Sequence, residues 1–388
     1  MLIVNEEHSS KVIVAVATII TIHIFYRRIV PRTTKLLQVW MDRRMLKIIS
    51  KRNCKVSDHE FTVSSIHIHP IKSLRPISVQ SAKLTHLGLE GDRLLMITRP
   101  SASSNQHRFL TQRQCPALAT INCSLPTQVT QSDENGNTVT KTVIKLSSDE
   151  QNDRILIDVT PQSLAKYPVR YHAGIWDEIV QVVDVGDKAA SFIQAIISNE
   201  EDNYDDVRVV ALLPEDKRRV DEKYCPNAVK DMFLRVPRVS LTDGFPILIA
   251  SEESLTALNE RLRKKKKDVL PMSRFRPNIV IKGALKPFDE DEWKAIQIGE
   301  NGPIFHVVKG CPRCKQSCTD QLTGEKYDEP LETLKEFRAL GKDPEAVYFA
   351  QNALVQPGCE GMEIQVGDVV KVLTRGDPVW DLDSVVQE

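Results

Sequence analysis

The chain has 388 residues, and its 52 Lys or Arg residues balance 52 Asp or Glu residues, so the formal net charge is zero. This balance excludes the strong overall basic field that is typical of nucleic-acid-binding proteins. An apolar fraction of 41% excludes a disordered chain, and eight cysteines are too few for a disulfide scaffold. The length is typical of two or three structural units.

The first predicted element is an uncharged apolar run at residues 12–26. A cleaved signal peptide would carry its positive charge before such a run and a small-residue cleavage site after it. Here most of the charge follows the run, at Arg27, Arg28, Arg32 and Lys35. We therefore predict a single transmembrane signal anchor at residues 11–30, after a short tail at residues 1–10. The positive-inside rule then places the bulk of the protein on the cytosolic side, where cysteines are thiols or metal ligands.

An amphipathic stalk is predicted at residues 31–58, because apolar residues recur at loosely helical spacing between cations over residues 35–52. Such a stalk either lies on the membrane surface or packs on the body of the protein. The pattern alone does not decide between these two positions.

Short strands follow, because apolar and polar residues alternate or form compact apolar runs. Within a polar insert at residues 126–154, the dipeptide Asn135-Gly136 predicts a hairpin turn. The predicted strands are residues 61–69, 77–84, 93–98, 154–159, 277–283, 303–310, 346–351 and 368–373. This pattern predicts an α+β, mostly β architecture with a β-barrel, and not alternating βαβ units. No glycine-rich nucleotide motif is present in the sequence.

Three helices are predicted, at residues 187–198, 251–267 and 330–341. Asp187 and Ser251 are the expected N-caps of the first two, because their side chains can accept hydrogen bonds from free backbone N–H groups. The second helix ends in the cationic run Lys264–Lys267. A solvated helix end is the simpler interpretation of this run, and docking to an acidic partner or to lipid is the alternative.

Three of the eight cysteines cluster directly after a predicted strand, at Cys311, Cys314 and Cys318. Structural zinc would need four ligands, which His306 and Cys359 could complete only at irregular spacing. A redox dithiol would need its CxxC motif at the N-terminus of a helix. A single thiolate on a transition metal or its cofactor, and plain buried cysteines at a strand end, are the other two interpretations.

Basic residues next to Ser or Asn occur at two further strand ends. They lie in the segments His69-Pro70-Ile71-Lys72-Ser73 and Phe275-Arg276-Pro277-Asn278. Such positions suit a phosphate or another planar anion. Gly91-Asp92-Arg93 is similar, although Asp92 could simply pair with Arg93.

The motifs HPIKSL, LGLEGDR, RFRPNIVI, CPRC, DQLTGE and PLETLKEFR occur in this order from about residue 60 to the C-terminus. In order and spacing they resemble the MOSC-domain proteins and, among these, the membrane-anchored amidoxime-reducing members. The resemblance implies a MOSC N-terminal β-barrel region at residues 59–186 and a MOSC β-barrel domain at residues 187–384.

The resemblance also implies a molybdenum cofactor, Mo-molybdopterin, with the Cys314 thiolate as metal ligand and catalytic residue. Cys311 matches a cysteine that does not bind the metal. Where the resemblance leads us to expect a hydroxyl residue, this chain has Asp243, Gly244 and Phe245 in one loop and Cys318 in another. The positions that match cofactor contacts are Lys72, Ser73, Arg93, Asp243, Gly244, Phe245, Arg276, Asn278, Pro312 and Arg313.

The implied activity is the reduction of amidoximes, hydroxylamines and related N-hydroxylated compounds by oxygen-atom removal. The implied electron donors are NADH, cytochrome b5 reductase and cytochrome b5, and the implied location is the mitochondrial outer membrane, with a single pass and the bulk facing the cytosol. A membrane-tethered MOSC module that binds the cofactor or sulfur without turnover is the alternative. A zinc-stabilised structural protein at the membrane is a third hypothesis.

Overall fold

A computed structural model describes residues 34–52, 61–101, 104–132, 137–148, 154–198, 204–213, 218–231 and 234–381. The helices are α1 (Thr34–Arg52), α2 (Pro161–Leu164), α3 (Asp187–Ile197), α4 (Glu252–Lys264) and α5 (Leu331–Lys335). The strands are β1 (Phe61–Ile68), β2 (Ile77–Val79), β3 (Ser81–Thr85), β4 (Gly88–Leu89), β5 (Leu95–Ser101), β6 (Ser104–Phe109), β7 (Asn122–Cys123), β8 (Thr127–Ser132), β9 (Thr138–Ser147), β10 (Arg154–Asp158), β11 (Arg170–Ile175), β12 (Glu178–Asp184), β13 (Arg208–Leu212), β14 (Ile247–Ser251), β15 (Ile279–Lys282), β16 (Trp293–Ile298), β17 (Ile304–Arg313), β18 (Val347–Val355), β19 (Glu363–Gln365) and β20 (Val369–Arg375).

The largest sheet has the strand order β15-β14-β18-β17-β16-β20-β1-β2. It closes on itself because β1 also pairs with β15, with Ile66 opposite Ile279, so that β2 alone lies outside the ring. Alternating side chains point into the barrel, and Val63, Trp293 and Phe305 are completely buried there. The first strand after the stalk is therefore part of the barrel that the last third of the chain builds.

A second closed barrel has the order β11-β12-β13-β5-β6. Met96, Val182 and Val210 fill it, and a separate sheet of β7, β8, β9 and β10 lies beside it. Helix α3 packs on the adjoining core through Phe192 and Ile193. The predicted mostly β fold with barrels is thereby confirmed. Strand β1 precedes the predicted domain boundary at residues 186 and 187 but belongs to the large barrel, and β13 follows that boundary but belongs to the smaller barrel. Strand pairing therefore crosses the boundary, which itself stays a prediction.

Three local predictions differ from the structure. Residues 77–84 form two strands instead of one, because the backbone at Gln80 accepts a hydrogen bond from Val366 and the chain there changes its pairing partner. Gly186, not Asp187, occupies the N-cap of α3, and Asp187 binds Arg208 from the first turn. The helix predicted at residues 330–341 ends at Lys335, since the chain then turns to bury the guanidinium of Arg338.

The hairpin predicted in the polar insert is confirmed. Strands β8 and β9 pair in antiparallel register from Thr127 and Val143 to Ser132 and Thr138. The dipeptide Asn135-Gly136 lies outside the described residues.

Helix α1 packs on the body, as one of the two interpretations of the stalk predicts. Leu46 and Ile49 join a small apolar cluster with residues of the large barrel, and Arg43 Nε donates to the backbone oxygen of Ala228 at 3.0 Å. None of the helices that the structure describes has both the length and the apolar character needed to cross a bilayer. The anchor predicted at residues 11–30 lies outside the described part of the chain.

The cationic run at the end of α4 faces the acidic residues of α5 and of the turn before it. Ser251 caps α4 by accepting a hydrogen bond from the Ser254 N–H, as predicted. Lys265 binds Glu336, and Lys267 binds the carboxylates of Glu329 and Glu332 at 3.0 and 2.7 Å. Two of the four lysines in the run are therefore neutralised within the chain.

The acidic stretch Asp289–Glu292 is mostly inside the protein. Asp289 binds the guanidinium of Arg375 at 2.8 Å, and Asp291 binds that of Arg338 at 2.7 Å. Glu290 instead accepts hydrogen bonds from the hydroxyls of Ser251 and Ser254, at 2.8 and 2.7 Å. Burial raises the pKa of Glu290 to about 7, and the neighbouring Asp291 carboxylate adds to this effect.

The raised pKa of Glu290 makes the stability depend on pH. Between its ordinary pKa of 4.5 and its native pKa of about 7, the folded state holds a proton that the unfolded state has released. The free energy of unfolding therefore falls as the pH rises through this window, by up to about 3 kcal/mol. We expect Glu290→Gln to remove most of this fall, which urea unfolding at the two ends of the window measures.

The matched control for this experiment is Glu292→Gln, which changes the half-exposed carboxylate at the end of the same stretch. It should keep the pH dependence of the unmodified chain. Equal pH slopes for Glu290→Gln and the unmodified protein would contradict the assignment.

Candidate functional site

The first part of the site is the turn that follows β1. Lys72 and Ser73 are buried in it, and the Ser73 hydroxyl has no hydrogen-bond partner among the described residues. Arg93 lies alongside, because its backbone N–H donates to the His69 oxygen at 2.7 Å. Ser73 and Arg93 both have left-handed backbone conformations, with φ of 73° and 49°. Non-glycine residues in this strained region are concentrated at functional sites.

The second part is the loop that contains Asp243. Its Oδ1 accepts hydrogen bonds from Lys72 Nζ at 2.6 Å and from Trp176 Nε1 at 2.9 Å. Desolvation alone would raise the pKa of Asp243, but the adjacent Lys72 ammonium and the Trp176 hydrogen bond hold it well below its usual range. Asp243 is therefore an anion that links this loop to the turn after β1.

The third part is Arg276, a buried residue in the left-handed conformation. Its guanidinium donates to Gln321 Oε1 at 2.7 Å and to the Leu74 oxygen at 2.8 Å. Gln321 in turn donates to Gln112, which donates to the Ser73 oxygen at 2.7 Å. Burial, together with the nearby charge of Arg93, lowers the pKa of Arg276 to about 9. Several cations are thus held close together in a poorly solvated place.

The fourth part is the cysteine cluster at the end of β17. Cys314 is partly buried and precedes a single 3₁₀ turn, in which the Ser317 hydroxyl donates to the Cys314 oxygen at 2.8 Å. Arg313 donates to Cys311 Sγ at 3.1 Å and to the backbone oxygen of Phe275 at 3.0 Å. Because Phe275 precedes Arg276, this side chain joins the cysteine loop to the cationic cluster.

The surroundings of the cysteines weigh against two of the four interpretations. Across the described ranges, no three His, Cys, Asp or Glu side chains form a group that could hold a metal ion. His306, which the zinc interpretation needs, contacts Gln356 Oε1 at 3.2 Å in the core. A redox dithiol is not favoured either, since Cys311 lies within β17 and only a 3₁₀ turn follows Cys314.

Four of the predicted contact residues contribute no described polar side-chain contact to this cluster. The Asn278 side chain accepts from the Leu248 N–H at 3.1 Å and donates to the His67 oxygen at 3.2 Å, so it ties neighbouring strands together. The Phe245 ring packs against Tyr224. Pro312 is exposed, and Gly244, with φ of 154°, serves the shape of its loop. Their contact with a cofactor stays a prediction.

Two hydroxyl residues of the site were missed by the sequence analysis. Ser240 and Thr242 are buried, and neither side-chain oxygen has a hydrogen-bond partner among the described residues. They lie three positions and one position before Asp243, whereas the resemblance led us to expect hydroxyls at residues 243–245. The signal in the sequence is therefore the segment Ser240-Leu241-Thr242 just before the predicted loop.

An aromatic and cationic surface lies at the edge of the site and was also not predicted. The Arg113 guanidinium lies 4.2 Å from the centre of the Trp176 ring and also contacts the Phe109 ring. Trp176 is 41% exposed although its indole N–H binds Asp243. This surface is thus where the cluster meets solvent.

Comparison with known families gives two matches. Residues 60–200 match the MOSC N-terminal beta barrel domain, and residues 236–371 match the MOSC domain. The chain belongs to the MOSC-domain family.

Within this family the chain is similar to the mitochondrial amidoxime-reducing components. It is 30% identical to mitochondrial amidoxime-reducing component 1 of Homo sapiens over 323 residues, which are 80% of this chain and 83% of the relative. It is 29% identical to mitochondrial amidoxime reducing component 2 of Bos taurus over 326 residues, which are 83% of each. A shorter match, 34% over 145 residues, covers 35% of this chain and 17% of a molybdenum cofactor sulfurase of Aspergillus terreus.

Proposed function

We propose that this protein is a molybdenum cofactor-dependent oxidoreductase that reduces N-hydroxylated compounds such as amidoximes and hydroxylamines. The observation that carries the proposal is the cluster of buried cations and unpartnered hydroxyls that the fold assembles beside Cys314. The names of its relatives, amidoxime-reducing components and a molybdenum cofactor sulfurase, support the same class of function.

The residues present fit an anionic cofactor. Lys72, Arg93 and Arg276 lie near one another, and the lowered pKa of Arg276 indicates that its charge is not fully compensated. A phosphate group would relieve this repulsion, because guanidinium groups bind phosphate oxygens in pairs. The hydroxyls that would donate to such a group are Ser73, Ser240 and Thr242.

Cys314 is the residue we propose as the molybdenum ligand. Thiolates bind soft metals, and the Cys314 side chain belongs to a loop that Arg313 fixes to the backbone before Arg276. When bound, the cofactor would supply a redox-active metal centre for a two-electron, two-proton reduction of N–OH to N–H with release of water. The task of the chain's own residues is to bind the cofactor, orient it and hold its charge.

We further propose that electrons come from NADH through cytochrome b5 reductase and cytochrome b5, at the mitochondrial outer membrane. An anchor at residues 11–30 would raise the effective concentration of donors on the same membrane. The lysine run at the end of α4 is a weak candidate for the docking site, since Lys265 and Lys267 already bind glutamates.

The test combines metal analysis with a reconstituted assay on the full chain from a cofactor-competent host. We expect molybdenum in the purified protein, and benzamidoxime reduction that requires NADH, cytochrome b5 reductase and cytochrome b5 together. Zinc in place of molybdenum would overturn the proposal. Molybdenum without turnover would instead favour a module that binds the cofactor and does not catalyse.

A further inference from the structure

Helix α1 has two opposite faces with different surroundings. Leu46, Ile49 and Arg43 lie on the face that packs on the body. Leu37 and Trp40, which are 40% and 53% exposed, lie on the other face. Arg44 is exposed on the same side, because residues 37, 40 and 44 follow the spacing of three and four that lines one side of a helix. We call these three residues the outer stripe.

The composition of the outer stripe is that of a membrane interface. Its apolar members are a leucine and a tryptophan, and the Arg44 guanidinium lies 4.8 Å from the centre of the Trp40 ring. Tryptophan is enriched at the level of lipid headgroups, and arginine and lysine there bind anionic lipids. Leu37 and Trp40 are neighbours on the helix surface and remain exposed beside the described body. Adjacent large apolar side chains at a surface are typical of a site that contacts a partner or a membrane.

The position of the stripe along the chain identifies its partner. The uncharged run at residues 12–26 ends eight residues before Thr34, where α1 begins. A fully extended chain of that length spans at most about 28 Å, so a bilayer that holds the run is within reach of the helix. Arg27, Arg28 and Arg32 lie in this connection and match an anionic lipid surface in charge.

We propose that the outer stripe lies in the headgroup layer of an anionic bilayer while the opposite face of α1 holds the body. The inference rests on the membrane anchoring proposed above and adds a fixed orientation to it. The orientation of the barrels relative to the membrane is then restricted, because one helix contacts both the lipid and the large barrel. The side of the protein that faces the membrane is set by the rotation of α1.

Fluorescence quenching by brominated phosphatidylcholine tests this contact without any measurement of activity. The full chain is reconstituted into vesicles that also contain phosphatidylserine, and intrinsic tryptophan fluorescence is compared with that in unbrominated vesicles. We expect Trp40→Phe to lose most of the quenching. Trp176→Phe, which removes an exposed tryptophan of the body, should retain it.

A charge test uses the variant Arg44→Glu. It should show weaker quenching in the same vesicles, whereas Lys188→Glu, on the exposed face of α3, should not. If both proteins bind the vesicles and Trp40→Phe is quenched as strongly as the unmodified chain, the proposal for the outer stripe is overturned, while the anchor is not. Recovery of the unmodified chain in the unbound fraction would overturn both the stripe and the anchor.

Discussion

Replacement of Cys314 by serine is expected to remove molybdenum from the purified protein and to lower benzamidoxime turnover by about a hundredfold or more. A serine hydroxyl is far harder to ionise than a thiol, so it is a poor substitute for a thiolate ligand, and even changes outside the ligand shell lower metal affinity or activity by about 10- to 100-fold. Metal content and cytochrome b5-dependent turnover of the same preparation are the measurements. A variant that keeps both would contradict the ligand assignment.

The neighbouring cysteines provide matched controls. Cys311 accepts a hydrogen bond from Arg313, and Cys318 donates to the Asp328 oxygen at 3.3 Å, both of which a serine can replace. Cys311→Ser and Cys318→Ser should therefore retain molybdenum and most of the turnover. If Cys311→Ser were the variant without molybdenum, the metal ligand would be Cys311 instead of Cys314.

Replacement of Arg338 by methionine is expected to lower the free energy of unfolding by about 3–5 kcal/mol, because it leaves the Asp291 carboxylate buried without its cation. Both terminal guanidinium nitrogens of Arg338 bind Asp291, at 2.7 and 3.0 Å, and Arg338 Nε donates to the Tyr348 oxygen. Glu290 lies next to Asp291 and supplies no positive charge. Urea unfolding at neutral pH measures the loss.

Lys335→Met is the matched control, since Lys335 lies only three residues before Arg338, at the end of α5, and pairs with Glu345. Both of these side chains are at least half exposed, at 51% and 75%, so the control should change stability by less than about 1 kcal/mol. A similarly small loss for Arg338→Met would show that the Gln351 amide, which donates to Asp291 at 2.7 Å, is sufficient for that carboxylate.

The positions of strands could be predicted where apolar residues alternate, as in residues 61–69, but their partners could not. Strand β1 pairs with β15, more than 200 residues away, and periodicity carries no information about such a pairing. The burial of charged residues also could not be predicted from the composition of a segment. The acidic stretch Asp289–Glu292 resembles a solvated surface segment, yet three of its residues are inside the protein because arginines and serines from other elements reach them.

The candidate site could be predicted as far as its members lie within short motifs. Lys72, Arg93, Arg276 and Arg313 lie in one region of the fold, and their contact with a cofactor stays a prediction. Gln112 and Gln321 were missed, since they are separated by 209 positions and become partners only in the fold. Trp176 was missed for a different reason: it lies in the turn between β11 and β12, and a lone aromatic residue gives no sign in the sequence that its ring will remain exposed.

Strand β1 has a consequence for the order in which the chain becomes stable. Its neighbours β15 and β20 are synthesised more than 200 residues later, so that, of its three partner strands, only β2 is available while the smaller barrel is made. Strands β14 to β20 cannot close the large barrel by themselves, because β1, which pairs with both β15 and β20, is synthesised before them. A fragment of residues 236–371 alone would lack that strand and expose two sheet edges, which are prone to aggregation. Each barrel therefore needs a strand from the other part of the chain, and neither barrel is complete when one part is made alone.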